Sequence, residues 1–124
     1  MKSSLKTLMV AVVVLFVSTV AFANKTAVTI STSAQKVKKG TEVTITLNVT
    51  HKGNSKMHHT EWVTLKINGK EVKKWSYDKH NLPPDSNFSL TYKAVVDDGL
   101  KIEAEGSCNM HGSAGVASAA VVIE

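Results

Sequence analysis

The chain has one cysteine, Cys108, and no arginine among its 15 basic residues. A lone cysteine cannot pair within its own chain, so the disulfide framework common in small exported proteins is excluded. Cys108 is free, bound to a metal, or bridged to another molecule. Lysine supplies all the positive charge, and no run interleaves bases with aromatics, so the pattern expected of a nucleic-acid binder is missing. There is no Gly-rich phosphate loop and no nucleophile, base and acid trio, which removes support for nucleotide-binding and hydrolase readings. No segment of the mature chain sustains a helical period, and the sequence holds no internal repeat, linker or low-complexity tract.

What is present begins with the pattern of an export signal. Lys2 and Lys6 make a positive start, Leu8 to Val20 is almost wholly apolar, and Ala21-Phe22-Ala23 reads as an A-x-A cleavage site. The expectation is a signal peptide over residues 1–23 and an exported, periplasmic chain of residues 24–124, with no membrane association once the signal is removed. The alternative is a retained anchor helix, for which the apolar run is short. The remainder, about 100 residues, is enough for one domain with one modest core. Without Lys2 and Lys6 the 15 basic residues become 13 against 10 acidic ones, a charge of about +3 rather than the +5 of the full chain. A mildly positive surface keeps the protein solvated and attracts small anions.

Alternation of apolar and polar residues is clearest in EVTITLNVT, where Val43, Ile45, Leu47 and Val49 share one side and threonines occupy the other. Further strand-like runs are Ala27 to Thr32, Glu61 to Ile67, Glu71 to Tyr77, Phe88 to Val96, Leu100 to Cys108 and Val116 to Glu124. Asn68-Gly69 and Asp98-Gly99 are pairs that tolerate positive φ in tight hairpins. About seven short strands with turn signals between them predict an all-β, immunoglobulin-like antiparallel sandwich. Trp62, Trp75, Tyr77 and Phe88 are most simply core or strand-face aromatics.

Three of the five histidines fall in HKGNSKMHH, His51 to His59, a loop between the second and third of these strands. The cysteine lies in CNMHG, Cys108 to Gly112, the loop before the last strand. Both loops follow strands of the same parity in this count, so they can share one end of a sandwich, where loops cluster. Cys108 and His111, three residues apart, can reach one metal ion, and His51 with His58 or His59 can add two imidazole nitrogens.

At this point the sequence resembles a known family. His51, then His58-His59-Thr60-Glu61-Trp62, then Cys108-Asn109-Met110-His111-Gly112 ahead of a final strand resemble the iron-binding domain of the superoxide reductases, the neelaredoxin and desulfoferrodoxin family. The likeness runs from about Lys36 to Glu124. It implies a mononuclear non-haem iron bound by histidine nitrogens in a plane, with a cysteine sulfur below and an open position for superoxide. His51, His58 and His111 would be the in-plane ligands and Cys108 the axial thiolate, while His59 matches a position that is not a ligand. The resemblance further implies reduction of superoxide to hydrogen peroxide, with electrons from an external donor protein. One cysteine excludes the additional four-cysteine iron domain of desulfoferrodoxins, so the likeness is to the single-iron neelaredoxin class. Two features depart from the family pattern. Lys52 stands where the family has a proline, with one extra residue between His51 and His58, and the family's N-terminal Glu-Lys-His-x-Pro loop has no counterpart, since no histidine precedes His51. His80, in Asp78-Lys79-His80 ahead of Pro83-Pro84, is a possible additional ligand, and Lys52 and Lys56 are candidates for steering the anionic substrate.

The residues leave two other metals open. A cupredoxin-like copper carrier also has an upstream histidine and a Cys-x-x-His before its last strand, but Val116 stands where its axial methionine would fall, so Met57 or Met110 would have to substitute. Tetrahedral zinc on His51, His58, Cys108 and His111 would make a binding module without reductase activity. A homo-oligomer is compatible with the sequence.

Overall fold

The computed structural model describes residues 24–124; the expected signal peptide lies outside the described residues. Eight strands run in chain order: β1 (Ala27–Thr32), β2 (Lys36–Val37), β3 (Thr41–Thr50), β4 (Thr60–Ile67), β5 (Lys70–Ser76), β6 (Phe88–Val96), β7 (Leu100–Cys108) and β8 (Val116–Ile123). They form two sheets, β1-β3-β6 and β2-β8-β7-β4-β5. The result is the expected immunoglobulin-like sandwich. Seven of the strands correspond to the apolar alternations, and β2 is additional. It pairs parallel with β8 through only Lys36 and Val37, too short a run to show a period of two, yet Val37 is buried and closes that edge of the core.

The alternation of β3 builds the centre. Val43, Ile45, Leu47 and Val49 are at most 1% exposed and cluster with Val63 and Leu65 of β4, Ile102 and Ala104 of β7, and Val121 of β8. β3 is the middle strand of its sheet, paired with β1 on one side and β6 on the other, so its inward face lies against the opposite sheet along its length.

Local chemistry fixes the connections. Asn68 and Gly69 take φ of 53° and 83°, the two positive values that a two-residue turn between twisted strands requires. The Asn68 side chain accepts from the Lys101 amide at 2.8 Å and donates to the Gly99 carbonyl at 3.3 Å, tying the β4–β5 turn to the neighbouring β6–β7 turn. The outer strand β5 carries exposed Lys70, Lys73 and Lys74, charges that discourage edge-to-edge pairing with another chain. Two of them also cover indole rings, Lys74 Nζ 5.6 Å from Trp62 and Lys73 Nζ 5.8 Å from Trp75.

Strand direction gathers the chemistry at one end. β3 and β7 finish there and β1, β4 and β6 begin there, as the pairs Ala27↔Thr50, Val49↔Phe88 and Thr60↔Cys108 show. Both loops singled out in the sequence therefore open from the same end of the sandwich. Leu47→Ala, at the fully buried midpoint of β3, is expected to cost about 2–5 kcal/mol by leaving a cavity between the sheets, read from chemical denaturation of the metal-free protein; a loss below about 1 kcal/mol would contradict this account of the core.

Candidate metal centre

Two strand alternations, one from each sheet, run on until they meet. In β3 the inward series Val43, Ile45, Leu47, Val49 continues one step past the strand to His51, and in β7 the series Leu100, Ile102, Ala104, Gly106 ends on Cys108. His51 is 6% and Cys108 3% exposed. An imidazole and a thiol thus cap the apolar core because side chains of a strand alternate faces. β4 contributes through a bulge: Thr60 pairs with Cys108 but Trp62 pairs with Ser107, leaving Glu61 as the extra residue. The bulge turns Thr60 inward, where its hydroxyl meets that of Thr26 at 2.9 Å.

The histidine loop folds back over this end. Ser55 and His58 bond each other's backbone, Ser55 N–H to the His58 carbonyl at 2.9 Å and His58 N–H to the Ser55 carbonyl at 3.2 Å. This tight turn brings the His58 ring edge-on to His51, with centroids 4.6 Å apart. Ligand atoms of His51, His58 and Cys108 all lie within 4.8 Å of one another. Gly53 makes the approach possible, since a Cβ there would lie 2.7 Å from His58 Nδ1. Its carbonyl also accepts the His51 Nδ1 proton at 2.7 Å. With Nδ1 carrying the proton, the lone pair of a neutral His51 sits on Nε2. Burial pushes the His51 pKa below the ordinary imidazole value; the Gly53 carbonyl opposes this, His58 lowers it further by charge repulsion, and the Asn24 carbonyl and His111 add smaller opposing effects.

Asn109 locks the two loops together. Its side chain accepts the His59 amide at 2.9 Å and donates to the Met57 carbonyl at 3.2 Å, while its own amide donates to the His59 carbonyl at 3.0 Å. His59 itself is buried, with Nδ1 donating to the Ser55 carbonyl at 2.9 Å; it organises the loop and is not in the ligand group. On the other side, the amides of Met110 and His111 approach Cys108 Sγ at 3.4 and 3.5 Å. These donors would offset negative charge on the sulfur were it to serve as a metal ligand. The His51 amide is held by Asn87 Oδ1 at 3.1 Å, and Asn54 Nδ2 donates to the Pro83 carbonyl at 2.9 Å, so the segment before β6 braces the histidine loop. Gly53, Asn54 and Asn87 carry no sequence signal of a role, each acting through contacts that no spacing encodes, and Asn109 stands out only as a member of the Cys108–Gly112 motif.

The remaining candidates divide. His111 is exposed and edge-on to His58 at 5.1 Å between centroids, close to the group but outside its tight cluster. His80 is exposed, its amide bonded to Asp78 Oδ1 at 2.8 Å, and it is not among the gathered ligand atoms. Lys52 and Lys56 are exposed beside the site. Met57 and Met110 are 77% and 60% exposed, so neither is packed inward as a thioether donor.

His51 Nε2 and His58 Nε2 are buried without any hydrogen-bond partner. Such groups cost about 1–3 kcal/mol each when nothing satisfies them, and here both are imidazole nitrogens beside a sulfur. A cation is what complements them, and two nitrogens with a thiolate suit iron, zinc or copper rather than calcium or magnesium. The residues fit a first-row transition metal.

Comparison with known proteins bears on the fold and the family. No curated protein sequence matches the chain. Among solved structures it is similar to a superoxide reductase (neelaredoxin) variant from Ignicoccus hospitalis, with a TM-score of 0.64 at 18% identity over 85% of this chain and 86% of that one. It is also similar to a superoxide reductase in the oxidised state, with a TM-score of 0.53 at 17% identity over 82% and 90%. A third likeness is to the CARDB domain of a Pyrococcus furiosus protein in complex with di-metal ions, with a TM-score of 0.61 at 17% identity over 83% and 91%. At these identities the likeness is one of fold. The desulfoferrodoxin family profile matches residues 19–114, well over half of the chain, and the chain therefore belongs to the desulfoferrodoxin family.

Proposed function

We propose that this protein is an exported, periplasmic superoxide reductase of the single-iron class, with His51, His58, His111 and Cys108 as iron ligands. The observation that carries the reading is the pair of buried, unpartnered Nε2 atoms beside the Cys108 sulfur, at an end of the sandwich where the loops meet solvent. When bound, the iron supplies the one-electron chemistry by cycling between its ferrous and ferric states. The balance is one superoxide, one electron from an external donor protein and two protons from water, giving one hydrogen peroxide.

The chain's own residues do the rest. The Gly53 carbonyl fixes the His51 tautomer so that its lone pair is on Nε2. The Ser55–His58 turn and Asn109 hold the two loops at a fixed separation, which keeps the donors preorganised. The amides of Met110 and His111 support negative charge on Cys108. Lys52 and Lys56 give the mouth a positive field, and such fields raise the encounter rate of an anion by about 10–1000-fold in strongly focused cases, falling with ionic strength. Two exposed lysines lie at the low end of that range.

Metal analysis of the exported protein should find about one iron per chain, with a visible thiolate-to-iron band in the oxidised form that Cys108→Ser abolishes. Zinc would leave the protein colourless and copper would give a different band. The loaded protein should consume superoxide without releasing dioxygen; iron bound with no consumption above that of free iron would remove the enzyme reading. Replacing both Lys52 and Lys56 by Glu is expected to slow superoxide consumption several-fold at low salt and to weaken or invert its dependence on ionic strength, with an unchanged visible spectrum. An unchanged rate and salt slope would separate these lysines from steering. Gly53→Ala drives a methyl group against His58 Nδ1, and should weaken iron binding by about 10–100-fold while thermal unfolding of the metal-free protein changes little. Undiminished affinity would mean that His58 is not held where the ion binds.

A further inference from the structure

The two sheets are unequal: β1-β3-β6 has three strands and faces the five of β2-β8-β7-β4-β5. β1 packs on β7 and β8, so β6 falls over the β4 and β5 side, where Phe88 lies edge-on to Tyr77, just past β5, with ring centroids 5.7 Å apart. Among the described residues the smaller sheet has no strand beyond β6. The apolar side chains of these two outer strands, Val72 and Trp75 of β5 with Leu90, Tyr92 and Ala94 of β6, pack on the core only partly buried. β6 also lacks the protection that the other edges have. β5 carries Lys70, Glu71, Lys73 and Lys74, β2 is two residues long, and β1 packs across onto β8. By contrast, β6 runs nine residues without proline, glycine or bulge, pairs with β3 in one unbroken register, and bears a single charge, Lys93. The Val96 carbonyl accepts the Gly40 amide at 2.8 Å on the β3 side. The amide and carbonyl of one residue point the same way and alternate along an antiparallel strand, so Leu90, Tyr92 and Ala94 bond towards β3, while Ser89, Thr91, Lys93 and Val95 present theirs at the free edge. No turn or loop backbone bond reaches those four among the described residues, and their side chains are exposed.

We propose that the free edge of β6 is the interface for a second copy of this chain, joined antiparallel about a two-fold axis at Tyr92 into one continuous sheet, β1-β3-β6 followed by β6-β3-β1 of the partner. The strand's own sequence selects this occupant and this register. With the axis at Tyr92, Ser89 pairs with the partner's Val95 and Thr91 with the partner's Lys93, so all four free residues are matched and no charge meets its like. An axis at Lys93 would set two lysines directly opposite each other, a destabilising pair, and an axis at Thr91 would leave Val95 facing Asn87, outside the strand. On the inner face Tyr92 meets its counterpart in a non-hydrogen-bonded pair, the closer kind, with Leu90 opposite Ala94 on either side. The partly buried apolar row of each copy is thereby covered. The contact is isologous, as a two-fold requires, and the two histidine and cysteine ends point in opposite directions with both mouths open. An edge of four matched residues is a small interface, so the dimer forms reversibly with concentration.

Analytical ultracentrifugation of the exported chain from micromolar to millimolar concentration should show a reversible monomer to dimer shift. Thr91 faces solvent, so changing it leaves the core and the histidine and cysteine end untouched. Thr91→Lys sets a lysine against the partner's Lys93 twice per dimer and should weaken dimerisation by about 2–30-fold. Thr91→Glu should strengthen it by a similar factor, with thermal unfolding of the dilute chain unchanged in both variants. Hydrogen exchange read by NMR needs no substitution: the amides of Ser89, Thr91, Lys93 and Val95 should slow as the protein is concentrated, while those of Leu90, Tyr92 and Ala94 stay protected throughout. A chain that remains monomeric into the millimolar range, a dimer indifferent to both Thr91 changes, or free-edge amides that exchange equally fast at every concentration would each overturn the interface. Free-edge amides protected in a monomeric chain would give the edge to another segment of the same chain, and would overturn it as well.

Discussion

Two imidazole nitrogens without partners, buried at the end of an otherwise apolar core, are the constraint around which the rest of this molecule is arranged. A protein interior tolerates such groups poorly, and everything near them works to keep them where they are instead of letting them relax to solvent. Gly53 bonds one ring and leaves room for the other. Ser55 closes the turn that carries His58. Asn109, one residue after the cysteine, reaches across to His59 and Met57 and so sets the distance between the two loops. None of these contacts improves the apolar core. They make sense as the support of a cation site, since outer contacts decide how well first ligands are oriented.

The sandwich supplies what a loop cluster alone lacks. His51 and Cys108 are not loop residues in the usual sense: each is the next inward position of a strand whose preceding residues are locked in the core. Their placement inherits the rigidity of β3 and β7, and because those strands belong to different sheets the two donors approach from opposite sides. His58 and His111 come from the loops that follow, the first half-buried and the second exposed. The site thus grades from a buried floor to an exposed mouth, which would suit the proposed ion, held firmly from below while an anion approaches from solvent.

That division also explains what was legible in the sequence. The strand alternation in EVTITLNVT and LKIEAEGSC is a strong period-two signal, and both the fold and the burial of His51 and Cys108 follow from counting along it. The histidine and cysteine motifs were visible as donor types at metal-compatible spacing. The two-residue β2 was not visible, because two residues define no period. Nor were the bulge at Glu61 and the bracing by Asn54 and Asn87, because these depend on which loops lie against each other across the sandwich end, a matter of tertiary packing. The Lys-His pair ahead of the prolines drew attention to His80 by composition, whereas the local Asp78 turn holds that residue at the surface; a short-range hydrogen bond of this kind competes directly with recruitment to a distant site.

The energetic consequence reaches the whole domain. With about 100 residues and no disulfide, the domain has a modest margin of stability, on the order of 5–15 kcal/mol, and it spends part of that margin on unpaired nitrogens and a buried sulfur at one end. An ion that binds only the folded arrangement returns stability in proportion to the logarithm of its concentration over its dissociation constant, about 2.7 kcal/mol at a hundredfold excess. The donors come from the ends of β3 and β7 and from the loops beyond them, and Thr26, just ahead of β1, is tied to the same place. Filling the proposed site would therefore clamp both sheets together at the end where they are least apolar. On the proposed reading the metal centre would be as much a fastening of the sandwich as a place for chemistry, and the groups left unpaired in the metal-free protein would be the ones that select an ion bound by nitrogen and sulfur.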